Sequence, residues 1–433
     1  MTEALVQEFE ARSGTATIEG PEWLEPIRRA AMERFSQTGF PSARDEEWRF
    51  TPLAPLVGAK WGPAAGGPLP AAEQLAPFLF GHPEWTTLVF VNGVYADTVG
   101  ATELPPGVKA SGLAEAVRSD GSLLEAHLAR HAPIGGSPFT ALNTAFLAEG
   151  GVIRVQAGAD LTTPVHLLFL TTSAAAGTVT HPRNLVVVER GARASIIESY
   201  VTLAAGQAYW TNPVTEVAVA AGAWVEHTRI QRESEQAFHV GLTHVDQQRD
   251  SHYRSFSLAM GGALARHNLH VRLNDENIET LMYGLYVTRG DQVVDNHTAI
   301  YHDQPHCRSW EVYKGILDGR SRAVFNGKVF VRPEAQKTDA KQTNRNLLLS
   351  DTARVDTKPQ LEIFADDVKC THGATVGRLD EVARFYARSR GLPAALADRL
   401  LTYAFAAEVV DEVALAPVRE ELDRLVLDRL GGL

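Results

Sequence analysis

Ile153-Arg154-Val155 leading to Gly158-Ala159, Val186-Val187-Val188 leading to Gly191-Ala192, and Val217-Ala218-Val219 leading to Gly222-Ala223 state one phrase three times. Each is a β-branched run closed by a Gly-Ala turn. Side chains in such a run alternate between two faces, and branched residues suit a pleated surface. From Gly150 to about Val376 these runs follow one another with no helical period between them. A doubly wound sheet needs crossover helices, so that class is excluded. A sandwich, a barrel and a stacked β-solenoid remain. The loose repetition favours the solenoid, where each coil buries its face on the next.

On either side the texture is different. Trp23, Leu24, Ile27, Ala31 and Phe35 recur at three- and four-residue steps and predict a helix that Gly39 and Pro41 end. Thr87–Val91 meets Val94-Tyr95-Ala96 across Asn92-Gly93, a hairpin signal because both turn positions want positive φ. Residues from about 108 to 148 are Ala-rich and read as helical. After Val376 the pattern is helical again. Gly391-Leu392-Pro393 separates two helices, Ala395, Leu396, Leu400 and Ala404 are expected to line the second, and Val418, Leu422, Leu425 and Val426 line a third opened by Pro417. The expected organisation is a helical and mixed region over 1–149, a β core over 150–377 and a C-terminal helical domain over 378–433. Length alone, at ~150 residues per domain, also suggests about three.

The chain has 433 residues, 45% of them hydrophobic, enough for a large core. A net charge of −11 argues against nucleic acid or an anionic membrane as main partner. Two cysteines make no disulfide framework, which points to a reducing compartment. The first residues carry no basic, apolar leader, and no apolar run approaches ~18 residues. The expectation is a cytoplasmic protein with no membrane span.

The chemistry concentrates late in the chain. Asp366-Asp367-Val368-Lys369-Cys370-Thr371-His372-Gly373 brings two carboxylates, a thiol and an imidazole together. In an extended segment Cys370 and His372 point the same way, and a thiol beside an imidazole suits metal binding or nucleophilic work. The polar flanks read as an edge, a rim or an interface. A second group, His297, His302, His306 and Cys307, is a weaker metal candidate whose spacing fits no standard zinc pattern. There is no G-x-x-x-x-G-K-[ST], no G-x-G-x-x-G and no G-x-S-x-G, so an energy-driven task needs a partner that hydrolyses nucleotide.

The stretches Asn344 to Ser350, Thr357 to Ile363, Ala365 to Gly377, Phe385-Tyr386 and Ser389-Arg390-Gly391 closely resemble the SufD-type members of the SufB/SufD family, subunits of the SufBCD iron–sulfur cluster assembly complex. The likeness includes Arg44 to Leu53, Tyr283-Gly284-Leu285-Tyr286, Asp295-Asn296-His297-Thr298 and Phe325-Asn326-Gly327-Lys328. SufB differs by a glutamate-containing stretch where this chain has Cys-Thr-His-Gly-Ala-Thr.

The resemblance implies a right-handed parallel β-helix between helical regions. It implies a heterodimer with a SufB-like subunit, and an ABC-type ATPase of the SufC kind docked on the C-terminal helices through Phe385, Tyr386, Arg390 and Gly391. An isolated chain would have its partner-binding edge free for homodimerisation. It also implies a scaffold without catalysis of its own. A transient iron–sulfur cluster would form at the subunit interface, with His372 as the foremost ligand or proton-handling residue and Cys370 second. A reduced flavin could serve the complex, and the sequence shows no site for one. The competing classes are a β-helix polysaccharide enzyme, which needs paired carboxylates along the coils, and a stand-alone metal-dependent enzyme using His297, His302 and His306.

Overall fold

The computed structural model describes residues 1–13 and 21–431. Two sheets, of twelve and ten strands, face each other, and the chain alternates between them. Phe238–Gln247, Leu264–Leu273, Val293–His302, Arg322–Val331 and Arg354–Ile363 are successive strands of one sheet. His252–Ala259, Glu279–Thr288, Arg308–Leu317, Asp339–Leu348 and Lys369–Gly377 are successive strands of the other. Neighbours within a sheet are parallel and in register. The result is a β-solenoid of about eight turns.

In-register stacking explains the repeated phrases. Ile153, Val186, Val217, Val245, Val271, Ile300, Val329 and Leu361 stand side by side along the interior. All but Leu361, on the last coil, are buried. Each fully buried side chain of this size contributes about 1.5–3 kcal/mol. The corners follow a second rule. Gly158, Gly191 and Gly222, then Asp250, Asn277, His306 and Lys337, all have positive φ. At each of them the backbone N–H donates to a carbonyl of the next coil, as from Gly191 to Ala221 and from His306 to Gln336. Glycine is at home in this left-handed region; Asp and Asn tolerate it.

The early elements close the solenoid's first end. Asn92 and Gly93 turn the antiparallel hairpin Thr87–Val91 and Val94–Val99, as the sequence predicts. The first hairpin strand then pairs in parallel with Asp160–Thr171, so the hairpin is continuous with the core sheet. Residues 108–148 are not uniformly helical. Val108–Gly112 is a strand antiparallel to Gly151–Val155, and helices follow only from Leu113. The edge of the sheet needed a partner there, and that overrode the helical composition. The helix Leu24–Thr38 forms as predicted and stops at Gly39, whose N–H reaches the Phe35 carbonyl at 2.8 Å.

The helices Glu381–Ser389, Ala394–Val410 and Ala416–Arg429 follow the core. The last two cover the outer face of the ten-stranded sheet, with Val409, Val413, Val418 and Leu422 packed on Ile230, Leu258, Leu285 and Ile316. In Ala394–Val410 the buried residues are Ala397, Thr402, Ala406, Val409 and Val410, and the expected Ala395 and Ala404 are exposed. The helix is apolar on most sides, so its composition left the rotation open.

One buried ion pair fastens the segment after the first helices to the twelve-stranded sheet. Glu216 accepts the backbone N–H groups of Ala129, His131 and Ala132, each at 2.8 Å, and Arg183 Nε at 3.0 Å. Both side chains are 0% exposed. Glu216→Ala strands the guanidinium and three N–H groups, and removing one member of a buried pair costs about 3–5 kcal/mol. The expected outcome is a melting temperature several degrees lower by circular dichroism, with Glu216→Gln intermediate.

Candidate functional site at the open end of the solenoid

The stack has to stop somewhere, and Arg354–Ile363 and Lys369–Gly377 are its last coil. Each pairs on one side only, with Arg322–Val331 and Asp339–Leu348. Almost every residue of Lys369–Gly377 is exposed. Ile363, Phe364 and Val376 add exposed apolar side chains to this end. Unpaired strand edges beside apolar side chains form a surface ready for another chain.

Cys370 and His372 lie on this last strand, opposite Ala340 and Gln342 of the preceding coil. Alternation puts both on one face, as predicted; that face is the inward one, and Cys370 packs against the end of the core. Burial raises the Cys370 thiol above its ordinary value, chiefly by desolvation. That weakens it as a nucleophile, and a cation nearby would favour the thiolate. His372 is exposed and makes no hydrogen bond or ion pair among the described residues.

The other histidine group does not come together. His302 occupies an interior position between Leu273 and Val331, bonded to Ser309 Oγ at 2.9 Å, and burial lowers its pKa to about 4. His306 is one of the corner residues, and His297 faces outward. The Cys307 thiol is buried, donates to the Asp275 carbonyl at 3.2 Å and is pushed up to about 11. Among the described residues no three His, Cys, Asp or Glu side chains converge as a metal site.

The first C-terminal helix presents a different surface. Asp380 caps it, Oδ1 accepting from Ala383 N–H at 2.8 Å, and Arg384 clamps Asp398 through two bonds of 2.7 and 2.9 Å. The opposite face is bare: Val382 is 77%, Phe385 73% and Tyr386 60% exposed. Arg390 stacks 5.1 Å from the Tyr386 ring, and Gly391 takes a positive φ that ends the helix. The sequence reading included Phe385, Tyr386, Arg390 and Gly391 but missed Val382, although its i, i+3, i+4 spacing completes the stripe.

Comparison with known proteins fits this architecture. The family model described as "SUF system FeS cluster assembly, SufBD core domain" matches residues 169–405, and "SufBD protein N-terminal region" matches residues 1–167. The chain belongs to the SufBD family. It is 36% identical to an iron–sulfur cluster assembly SufBD family protein of Synechocystis over 97% of this chain and 94% of the relative. It is 33% identical to the iron–sulfur cluster assembly protein SufD of Escherichia coli, over 94% and 92%. The chloroplastic protein ABCI7 of Arabidopsis thaliana is 32% identical, over 92% and 84%.

Within this SufBD chain, the motif Arg44 to Leu53 is a clip between the two matched regions. Trp48 stacks on Phe139 at 4.9 Å, and the Arg266 guanidinium lies 3.7 Å from the Trp48 ring. Glu47 Oε2 meets His297 Nδ1 at 3.2 Å, a bond that holds the Glu47 carboxyl below its usual range. Thr51 donates to Asp295, which also accepts from Arg266 at 2.9 Å. A groove of about 480 Å³ opens beside the clip, lined by His244, His270 and Tyr301 among others. Burial lowers His270 to about 3, so its imidazole is neutral. No spacing in the sequence could have assembled this groove, because its residues come from separate coils. Among the described residues no helix is long and apolar enough to cross a membrane.

The two thiols should separate chemically. Iodoacetamide on the native chain near neutral pH should add one label, slowly, at Cys370, and Cys307 should react only after unfolding. Mass spectrometry of the peptides reads both.

Proposed function

We propose that this SufBD chain is a non-catalytic scaffold subunit of an ATPase-driven complex that builds iron–sulfur clusters. The observation that carries this is the open last coil with Cys370 and His372 on it. They offer two donors suited to iron, and no third donor converges with them among the described residues. A cluster needs more ligands than two, so the rest must come from a chain seated on the open edge. A SufB-like subunit, related in fold, is the natural occupant, and the cluster is cargo held between them until transfer. The bare stripe Val382, Phe385 and Tyr386 is the second contact, for a SufC-like ABC ATPase. It lies on a helix following the last coil, so ATP-driven movement would reach the assembly face through a short segment. The compartment proposed is the cytoplasm.

His372→Ala should leave folding and co-purification with both partners intact, because a rim imidazole buries little. It should lower the iron and acid-labile sulfide of the purified complex about tenfold, the scale on which losing a metal-supporting group acts. Normal iron and sulfide, with full complementation of a deletion strain, would refute the role given to this face. Val382→Asp with Phe385→Asp should weaken ATPase capture about 30-fold or more, as for loss of an aromatic anchor, while pairing with the SufB-like chain persists. Undiminished capture would remove the stripe from the interface.

A further inference from the structure

The stretch Phe325-Asn326-Gly327-Lys328 takes no part in the two surfaces above. Its Lys328 belongs instead to the groove beside the clip. His244, His270, Ala299 and Lys328 are neighbours on successive coils and make the floor of that groove. One end is apolar, lined by Pro133, Phe139, Pro213, Val214, Val240 and Leu242. Its wall is fixed in place, because Pro133 follows the segment 129–132 that Glu216 holds. Val214 opens its strand beside Leu242, whereas Arg272 and Arg332 stand where later strands close.

That far end is cationic. Arg272 lies 5.7 Å from the Tyr301 ring and Arg332 5.5 Å from the Phe330 ring, and the two rings are 6.2 Å apart. Both guanidiniums bond the same carboxylate: Arg272 Nη2 donates to Asp303 Oδ2 at 3.0 Å and Arg332 Nε to Asp303 Oδ1 at 2.5 Å. Arg272 Nη1 and both Nη groups of Arg332 make no hydrogen bond among the described residues. The other cations of the lining are matched, Lys328 by Glu362 at 2.6 Å and Arg266 by Asp295 at 2.9 Å. Glu47 is turned to His297 at the clip. Two guanidiniums on one carboxylate leave a surplus of one positive charge at the far end. Between the ends, His270 is neutral, and His244, 6% exposed, keeps a buried Nδ1 without a hydrogen-bond partner.

We propose that this groove binds an amphipathic monocarboxylate of small-molecule size, such as a medium-chain fatty acid. Its head takes the free N–H groups of Arg272 and Arg332, whose planar forks match a carboxylate. Its body lies over His270 and Ala299 toward Val240 and Leu242. A surplus of one charge matches a monoanion and leaves a phosphate dianion half compensated. The volume of about 480 Å³ is that of a small-molecule site. None of Cys370, His372, Val382, Phe385 and Tyr386 lines the groove, so its occupancy is separate from the assembly face and from the helix stripe.

The test uses the purified full chain with sodium octanoate as probe. Isothermal titration calorimetry should show one site with a dissociation constant below about 1 mM. Octanamide keeps the body without the charge, and acetate keeps the head without the body; each should bind about tenfold more weakly or worse. Arg272→Gln and Arg332→Gln should each weaken octanoate binding about tenfold. Asp303→Asn should strengthen it about threefold or more, because both guanidiniums lose their competitor. A general loss of structure would weaken binding in all of these variants, so the opposite sign in Asp303→Asn separates the site from a folding defect. Ala299→Phe, which fills the floor, should abolish binding while thermal unfolding by circular dichroism stays cooperative. No saturable heat up to about 10 mM octanoate, octanamide binding as tightly as octanoate, weaker binding in Asp303→Asn, or unchanged binding in Ala299→Phe overturns the proposal.

Discussion

Parallel stacking in register is the constraint on which everything else in this molecule depends. Each coil buries its inward side chains between two sheets and its backbone groups on its neighbours, so no coil is stable alone. The aliphatic column from Ile153 to Leu361 supplies the burial, and the corner N–H groups supply a second ladder at the edge. The same rule makes the last coil exceptional. Arg354–Ile363 and Lys369–Gly377 satisfy it on one side only. The surface that carries Cys370 and His372 is thus a direct result of how the stack ends.

The interior is not uniformly apolar. Glu198 lies beside His227 and Arg229, and Glu233 bonds His239 Nδ1 at 2.7 Å, all buried. Tyr286 donates to Asn346 at 2.5 Å near the open end, and Asn346 donates to Asn344 at 2.7 Å. Such networks stabilise little in net terms, but they strongly penalise a slipped register, which would leave their members unpaired. The outer contacts do comparable work: Lys314, buried under the C-terminal helices, donates to the Phe405 carbonyl at 2.9 Å and pairs with Glu408.

Much of the fold was legible because its signals are local. Repeated Val-rich runs, Gly-Ala corners, the Asn92-Gly93 turn and the helix stop at Gly39 all follow from neighbouring residues. The strand Val108–Gly112 was hidden, since Ala110-Ser111-Gly112 becomes extended only because Gly151–Val155 lies beside it. At the site, two-residue alternation correctly placed Cys370 with His372. It could equally have separated His297 from His302, which lie five residues apart and face opposite sides. The burial of Glu311, 1% exposed on Arg308–Leu317, carried no signal at all: a polar residue in an alternating strand reads as solvent-facing, and only the second sheet turns that side into an interior.

The two ends of the solenoid differ in a way that limits its symmetry. At the first end the strands Val94–Val99 and Val108–Gly112 run antiparallel to their neighbours, so that rim does not repeat the parallel geometry of a coil. A second molecule's last coil would meet no copy of its own neighbouring rung there. Continuation tip to tail in the parallel register of the core would generate an open fibre, and the reversed strands do not offer that register. The molecule thus joins the exposed edges of a repeating unit to a first end that does not repeat them.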